Sequence, residues 1–200
     1  MKNIIIFIIF IIILVLIKYE FNIILIYKSY VVKTYRKIFG INKQICYHMM
    51  NDVKDTLDKY NIKFWLSEGT ALGIYRDGDL IEYDDDVDFS FRGDIGNQYN
   101  IFLKNVIPEL NSKGYICNSG VGKNKNLYYA MKNNHFIDFD IVMPNWHCIA
   151  RNGPCNELIP YIEKLETITW RGKTWNIPTK EYLIYLYGKT WNIPIRNYKP

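Results

Sequence analysis

The 200-residue sequence predicts an α+β domain with helices packed against one mixed sheet, preceded by an N-terminal transmembrane helix. Three observations predict this fold class. The chain begins with a long apolar run, segments of helical and strand periodicity are mixed along the rest of it, and one predicted strand carries an acidic face. A chain of this length can bury the core of one domain and has room for a short appendage.

The N-terminal apolar run predicts a membrane anchor. Residues 4–17 are uninterrupted apolar side chains, and apolar character resumes at 21–27 after a short polar break. Because about 20 residues are needed to cross the hydrocarbon core, both runs are expected to contribute to a signal-anchor segment over residues 1–28. A cleaved signal peptide is the alternative, although no small-residue cleavage pattern follows the run.

Residues 29–42 are predicted to form a basic juxtamembrane linker. Its charges account for much of the net charge of +5, which permits an acidic partner such as a nucleotide, a phosphosugar or a membrane surface. A solvated segment explains these charges as well as a binding patch does. Positive charges after the anchor would by themselves place the following domain in the cytoplasm.

The predicted domain, residues 43–200, mixes helices and strands. Apolar residues at helical spacing predict an amphipathic helix from Lys43 to Tyr60. Further helices are predicted at 98–110, bent by Pro108, and at 180–187, before a terminal glycine. Strands are predicted at 62–66, 87–91, 115–117, 127–131 and 136–142. The segment 165–200 is otherwise aromatic and turn-rich.

An acidic run, Asp84-Asp85-Asp86-Val87-Asp88, is the strongest functional signal. Crowded carboxylates repel one another, so they need solvation, protonation or a cation. The glycine and final glutamate of a calcium-binding EF-hand loop are missing. Along a strand Asp86 and Asp88 point to the same side, where they can hold Mg²⁺ or Mn²⁺. Asp84 is predicted to assist, and Asp85 is expected to point elsewhere.

Two other segments are predicted to complete this site. Asp138 and Asp140 share one face of a later strand, so either can supply a further metal ligand. Gly69 and Thr70 lie in a turn that leads into a helix, where free backbone N–H groups suit a phosphate. The predicted metal ligands are therefore carboxylates from two strands, beside a turn that binds phosphate.

Arg76 follows that turn along the predicted helix. Its guanidinium is predicted to bind phosphate oxygens through two hydrogen bonds. A salt bridge to Asp77 or Asp79 is the alternative.

The four cysteines show no pairing typical of a zinc site. Cys148 and Cys155 bracket a turn-rich stretch that a disulfide could close in an oxidising compartment. Two unpaired thiols are the alternative, and the spacing does not decide between them.

Two segments resemble the signature of LicD-type phosphocholine transferases, fukutin and fukutin-related protein. They are Phe64–Arg76, reading FWLSEGTALGIYR, and Leu80–Asp88, reading LIEYDDDVD. The ending, 175–194, is similar to that family's closing pattern, so the resemblance covers most of residues 43–195. It implies a nucleotidyltransferase-like fold and a metal-dependent phosphotransferase that moves a phospho-alcohol from a CDP-linked donor to a glycan hydroxyl.

The resemblance also implies roles, partners and a location. Catalytic roles fall on Asp84, Asp86, Asp88 and Arg76, donor binding on Gly69, Thr70 and Arg76, and metal binding on Asp86, Asp88 and Asp138 or Asp140. The implied cofactor is Mg²⁺ or Mn²⁺. The expected partners are a CDP-alcohol, a glycan or glycoprotein, and a membrane of the secretory pathway or Golgi, with no nucleic acid.

Three positions depart from the family pattern. Glu68 stands where many members have glycine, Glu82 where proline is usual and Tyr83 where tryptophan is usual. These departures leave a catalytically inactive glycan- or nucleotide-binding member of the same fold as the alternative. Nucleotidyl transfer onto nucleic acid is a third reading, which the anchor and the lack of a long basic groove signal disfavour.

Overall fold

The computed structural model describes residues 16, 18, 24, 27, 28, 30–119, 127–144, 146–148 and 153–195. The predicted anchor at 1–28 lies almost wholly outside these residues. Within the described part of the chain, no helix is both long and apolar enough to cross a membrane.

Two helices precede the sheet. Residues 30–39 form α1, where the sequence predicted a linker, and Lys43–Lys59 form α2. Helix α2 begins after Asn42, whose side-chain oxygen accepts a hydrogen bond from the Ile45 N–H at 3.2 Å. Its buried face consists of Cys46, Met49, Met50, Val53, Thr56 and Leu57. The amphipathic helix predicted here is therefore present, and its apolar face lies on the core.

The central sheet is mixed, as the sequence predicted. Its strands are β1 (Phe64–Leu66), β2 (Val87–Arg92), β3 (Ile116–Ser119), β4 (Leu127–Lys132) and β5 (His135–Val142). Their order across the sheet is β1-β2-β5-β4-β3. The β2–β5 pair is parallel, while the other pairs are antiparallel. Helix α3 (Glu68–Asp77) connects β1 towards β2 and begins directly at the end of β1.

The connection between β2 and β3 is an irregular helix. It runs as α4 (Gln98–Ile101), a π-helical segment (Phe102–Val106) and α5 (Ile107–Ser112). A bend was predicted at Pro108, and the irregular turn precedes that residue because proline has no N–H to donate backwards. Phe102 packs into the core, with its ring centroid 5.0 Å from those of both Phe91 and Phe139.

The C-terminal third contains a β-hairpin that the sequence analysis did not predict. Strands β6 (His147–Cys148) and β7 (Gly153–Pro154) form a small ladder, and Cys148 is disulfide-bonded to Cys155. After a 3₁₀ turn (Cys155–Glu157) and α6 (Ile159–Ile162), β8 (Leu165–Trp170) and β9 (Lys173–Pro178) pair as the hairpin. Helix α7 (Lys180–Tyr187) ends at Gly188, as predicted.

Candidate active site

The candidate site lies on the polar face of the two parallel strands. Asp88 of β2 is directly opposite Asp138 of β5, and Ser90 is opposite Asp140. Neighbouring strands are about 4.8 Å apart, so side chains at paired positions on one face are in contact range. Asp138 and Asp140 are only 8% and 7% exposed. The fold therefore brings together aspartates that are 50 residues apart in the chain.

The turn at the start of α3 is fixed against β2. Thr70 Oγ1 accepts the Asp88 N–H at 2.8 Å, and the Thr70 N–H donates to Asp88 Oδ2 at 3.3 Å. A Cβ atom on Gly69 would lie 2.4 Å from Asp84 Oδ2, so a larger residue would displace that carboxylate. Thr70 was predicted to offer its N–H to a phosphate, but the structure uses this N–H to hold Asp88.

The carboxylates before β2 form a close cluster. One oxygen each from Asp84, Asp85 and Asp86 lie within 4.8 Å of one another. The prediction that Asp85 points elsewhere is wrong, because the turn between Ile81 and β2 folds its side chain back beside Asp84. Oδ2 of Asp85 is buried without a hydrogen-bond partner among the described residues.

Lys33 of α1 reaches into this cluster from outside the sheet. Its Nζ lies 2.8 Å from Asp86 Oδ2 and 2.9 Å from Asp138 Oδ2. The other oxygen of Asp138, Oδ1, is buried and has no partner among the described residues. Burial alone would lower the pKa of Lys33, but the carboxylates of Asp86 and Asp138 raise it above its usual value. Lys33 is therefore a fixed positive charge in the site.

These side chains surround a chamber of about 460 Å³. The residues that line it are strongly acidic. They include carboxylates from the turn, the acidic run and β5, together with two lysines. The carboxylates are Glu68, Asp84, Asp85, Asp86, Asp88, Asp138 and Asp140, and the lysines are Lys33 and Lys37. Seven carboxylates against two ammonium groups leave an excess of negative charge if all ionise, which favours the binding of cations.

A second cavity of about 320 Å³ adjoins the chamber and shares five lining residues with it: Lys37, Gly69, Asp84, Asp85 and Tyr187. Arg76 lies in its wall, with Nη2 of the guanidinium 2.7 Å from Asp77. The salt bridge that was the alternative for Arg76 is thus present. Tyr83 also lines this cavity, and its hydroxyl oxygen accepts a hydrogen bond from Arg76 Nη2 at 3.4 Å.

Residues 61–184, more than half of the chain, match the LicD/FKTN/FKRP nucleotidyltransferase domain. The chain belongs to this family. The match spans all five strands of the sheet and every acidic residue of the chamber. The chain is therefore a transferase-type domain by family.

Two curated relatives come from Rickettsia. An uncharacterized protein of Rickettsia prowazekii is 37% identical over 84 residues, which is 42% of this chain and 30% of that protein. An uncharacterized protein of Rickettsia typhi is 35% identical over 69 residues, or 34% of this chain and 21% of that protein. The chain thus spans less than a third of the length of either relative.

Among solved structures, the fold is similar to that of the antibiotic-resistance factor ANT(2'')-Ia. The TM-score is 0.51 at 12% identity, covering 79% of this chain and 78% of that one. This similarity is one of fold, and the family match is to a nucleotidyltransferase domain, the fold that the LicD resemblance implied.

Glu68, where the resemblance to the LicD family implied glycine, is the first residue of α3. Its backbone lies in the left-handed region, at φ 42°, where a side chain is strained. Its carboxyl group accepts the Tyr182 O–H at 2.6 Å. Burial raises the pKa of Glu68 to about 8 despite this hydrogen bond, and the charges of Asp140 and Asp86 add to the effect.

Burial and mutual repulsion also raise the pKa values of the aspartates. Burial, then the Asp86 charge, raises the pKa of Asp84 to about 8 and that of Asp138 to about 7. Burial and the nearby Asp138 raise the pKa of Asp140 to about 7. The pKa of Asp88 is raised well above its usual value for the same reasons. Each shift marks a charge that the protein alone does not neutralise.

The described residues fit a divalent ion. The donor set is carboxylate oxygen, which Mg²⁺ and Mn²⁺ prefer. Asp138 Oδ1 is a buried acceptor without a partner among the described residues, and an ammonium already lies between Asp86 and Asp138.

Sequence reasoning missed three residues of the site. Lys33 was assigned to a linker, Tyr182 binds Glu68, and Tyr187 lines both cavities. The apolar periodicity of α7 was visible, and the two tyrosines lie five positions apart on that helix. No local signal marked Lys33, because its contacts lie more than 50 residues away along the chain.

Proposed function

We propose that the chain is a metal-dependent phosphotransferase that moves a phospho-alcohol, such as phosphocholine or ribitol phosphate, from a CDP-linked donor to a glycan hydroxyl. The observation that carries this proposal is the register of β2 and β5, which places Asp88 opposite Asp138. Oδ1 of Asp138 is buried and has no hydrogen-bond partner among the described residues. Family membership supports a transferase. The anchor predicted at 1–28 would hold the enzyme at a membrane of the secretory pathway.

Metal binding is assigned to Asp86, Asp88 and Asp138, with Asp140 beside them. When bound, Mg²⁺ or Mn²⁺ would neutralise charge on the donor pyrophosphate. Thr70 holds Asp88 through two hydrogen bonds, so the turn at the start of α3 helps to orient this ligand. These two hydrogen bonds fix the distance between Asp88 on β2 and the turn at the start of α3.

Donor binding is assigned to the wall between the two cavities. Gly69 lines both of them, and it lies at the start of α3, where backbone N–H groups favour a phosphate. Arg76 can contribute charge from the wall of the second cavity while its salt bridge to Asp77 orients the guanidinium. The two adjoining cavities thus provide separate space for the reacting phosphates and for another part of the substrates.

Proton transfer is assigned to Asp84. Its carboxylate lies beside Gly69, at the boundary of the two cavities, and does not pair with Lys33 in the structure. The acceptor hydroxyl attacks the phosphorus of the phospho-alcohol, the bond to CMP breaks, and Asp84 takes the hydroxyl proton. The products are a phosphodiester on the glycan and CMP.

One observation favours a second candidate, a catalytically inactive binder of nucleotides or glycans. Glu68 occupies a position where the LicD family usually has glycine, and its side chain lines the chamber. Because Tyr182 holds this side chain at the start of α3, it takes up space that glycine would leave for a reacting phosphate. The fold and both cavities would still permit binding without transfer.

A donor screen separates the two candidates. The full chain, purified in detergent, is incubated with CDP-choline, CDP-ribitol or CDP-glycerol, a glycan acceptor and Mn²⁺, and CMP is measured. The proposal predicts CMP release with at least one donor and none with EDTA. Binding of a CDP-alcohol without CMP release would support the inactive binder instead.

A further inference from the structure

Helix α1 is fastened beside the chamber by contacts with two loops. Arg36 Nε donates to the Asn134 carbonyl at 3.0 Å, in the turn between β4 and β5. The Ile41 N–H donates to the Glu82 carbonyl at 3.1 Å, just before the acidic run. Gly40 has φ 72°, and a Cβ there would lie 2.0 Å from that same carbonyl oxygen. The end of α1 therefore sits where a larger residue would not fit.

Lys33 lies one turn before Arg36, on the same side of α1. From this position its ammonium bridges Asp86, in the acidic run, and Asp138, on β5, at 2.8 and 2.9 Å. Its Nζ also lies 5.8 Å from the centroid of the Phe136 ring. One cation thus joins two carboxylates that come from different elements.

Lys33 Nζ lies between Asp86 Oδ2 and Asp138 Oδ2, which belong to two of the residues that would hold the divalent ion. Mg²⁺ binds carboxylate oxygens at about 2.0–2.1 Å and draws its ligands closer than an ammonium does. The ammonium and a bridging ion cannot share the space between Asp86 Oδ2 and Asp138 Oδ2. A single ammonium also leaves Asp138 Oδ1 unpartnered among the described residues, so it neutralises the pair incompletely.

We propose that Lys33 is the resident cation of the metal-free site, and that a divalent ion binds by displacing its ammonium from Asp86 and Asp138. This inference rests on the metal site of the proposed function. Because Lys33 belongs to α1, the position of that helix sets how readily the ion binds. After displacement, the tethered ammonium remains beside the chamber, where a donor phosphate would be an acceptor for it.

Direct Mn²⁺ binding to the full chain in detergent, followed by electron paramagnetic resonance, tests this exchange. Removing the competing ammonium in Lys33→Met should tighten Mn²⁺ binding by at least about tenfold, whereas Lys37→Met should change it less than about threefold. Lys37 is the matched control because it lines the same chamber without an ion pair to Asp86 or Asp138 among the contacts described. Lys33→Arg keeps a cation that can bind both carboxylates, so the affinity of this variant for Mn²⁺ should be equal to or lower than that of the wild type.

Thermal unfolding gives a second readout. In EDTA, Lys33→Met should unfold at a lower temperature than the wild type, because Asp86 and Asp138 face each other without a cation. Saturating Mn²⁺ should raise the unfolding temperature of Lys33→Met more than that of the wild type. A reduced or equal rise would contradict displacement even if the variant is less stable.

The outcomes distinguish this inference from the proposed function. If the wild type binds Mn²⁺ and Lys33→Met binds it no more tightly than Lys37→Met, Lys33 acts only as a distant charge and the inference is overturned alone. If neither the wild type nor Lys33→Met binds Mn²⁺, the metal site of the proposed function is overturned, and the exchange with it.

Discussion

The two faces of the parallel strands β2 and β5 are built from alternating positions but stabilised in opposite ways. On one face Phe89, Phe91 and Phe139 are fully buried, and the ring centroids of Phe89 and Phe139 are 6.1 Å apart. On the other face Asp88 and Asp138 are paired across the strands. The apolar face is filled by packed rings, whereas on the acidic face the ammonium of Lys33 lies beside Asp86 and Asp138.

This difference shows where stability and function reside. Burial of apolar surface stabilises the fold by about 25 cal/mol for each Å² removed from water. Burial of a carboxylate instead destabilises the fold unless a cation or hydrogen bonds compensate for the lost hydration. The raised pKa values of Asp138 and Asp140, both about 7, show that compensation is incomplete on the acidic face. The apolar face therefore holds together a site that destabilises the fold.

The largest expected effect comes from breaking the apolar face. Phe139→Ala should lower the free energy of unfolding by about 3–5 kcal/mol, because it leaves a cavity among the rings of the core. Urea denaturation followed by circular dichroism measures this change. The control is Ile95→Ala, at an exposed site, where a change within about 0.5 kcal/mol is expected. Equal effects at the two positions would contradict the assignment of stability to this face.

The contribution of the acidic face to the free energy of unfolding should depend on pH. The folded protein keeps Glu68 protonated up to a pKa of about 8, whereas the unfolded chain releases this proton near pH 4.5. The folded state binds the extra proton between these values, so metal-free stability should fall as pH rises from 4.5 to about 8. Glu68→Gln cannot ionise and keeps an acceptor for Tyr182, so its decline should be shallower than that of the wild type. The part that remains comes from Asp84, Asp138 and Asp140, whose pKa values are also raised. Urea midpoints measured in EDTA across this range give the slope.

Glu163→Gln is the matched control for this pH experiment, because Glu163 is exposed. Its pH profile should follow that of the wild type. If Glu68→Gln retains the full decline, Glu68 is ionised in the folded protein across this pH range, which would contradict a raised pKa.

The smallest expected effect tests a neutral hydrogen bond on the same face. Ser90 Oγ donates to Ser67 Oγ at 2.7 Å, and both side chains are buried. Ser90→Ala should lower the free energy of unfolding by about 0.5–1.5 kcal/mol. Chemical denaturation at pH 7 measures it. A loss as large as that of Phe139→Ala would show that the polar face contributes more to stability than its carboxylates suggest.

Much of the fold could be predicted because its signals are local. The alternation of β2 and β5 predicted their two faces, since side-chain direction follows directly from strand geometry. The hairpin of β8 and β9 was missed, although its signal is present. Arg171 and Gly172 both have positive φ, at 52° and 76°, in a two-residue turn between the strands. A glycine preceded by arginine is a weaker hairpin signal than Asn-Gly.

The candidate site was only partly predictable, because its completion is a matter of tertiary structure. Asp86, Asp88, Asp138 and Asp140 were found from strand periodicity and the resemblance to the LicD family. Their register across β2 and β5, and the position of Lys33, depend on contacts between distant segments. Asp85 was misplaced because strand alternation was applied to a residue that precedes the strand.

The central claim is that the acidic face performs metal-dependent transfer, and one variant tests it most directly. Asp88→Asn keeps the size of the side chain and removes the charge of a proposed metal ligand. Mn²⁺-dependent CMP release should fall by at least about 100-fold while circular dichroism stays unchanged.

Asp94→Asn is the matched control, because Asp94 follows β2 on the exposed side and pairs with Arg92 at 2.7 Å. It should retain CMP release close to that of the wild type. Full activity of Asp88→Asn, beside an equally active Asp94→Asn, would contradict the assignment of the site.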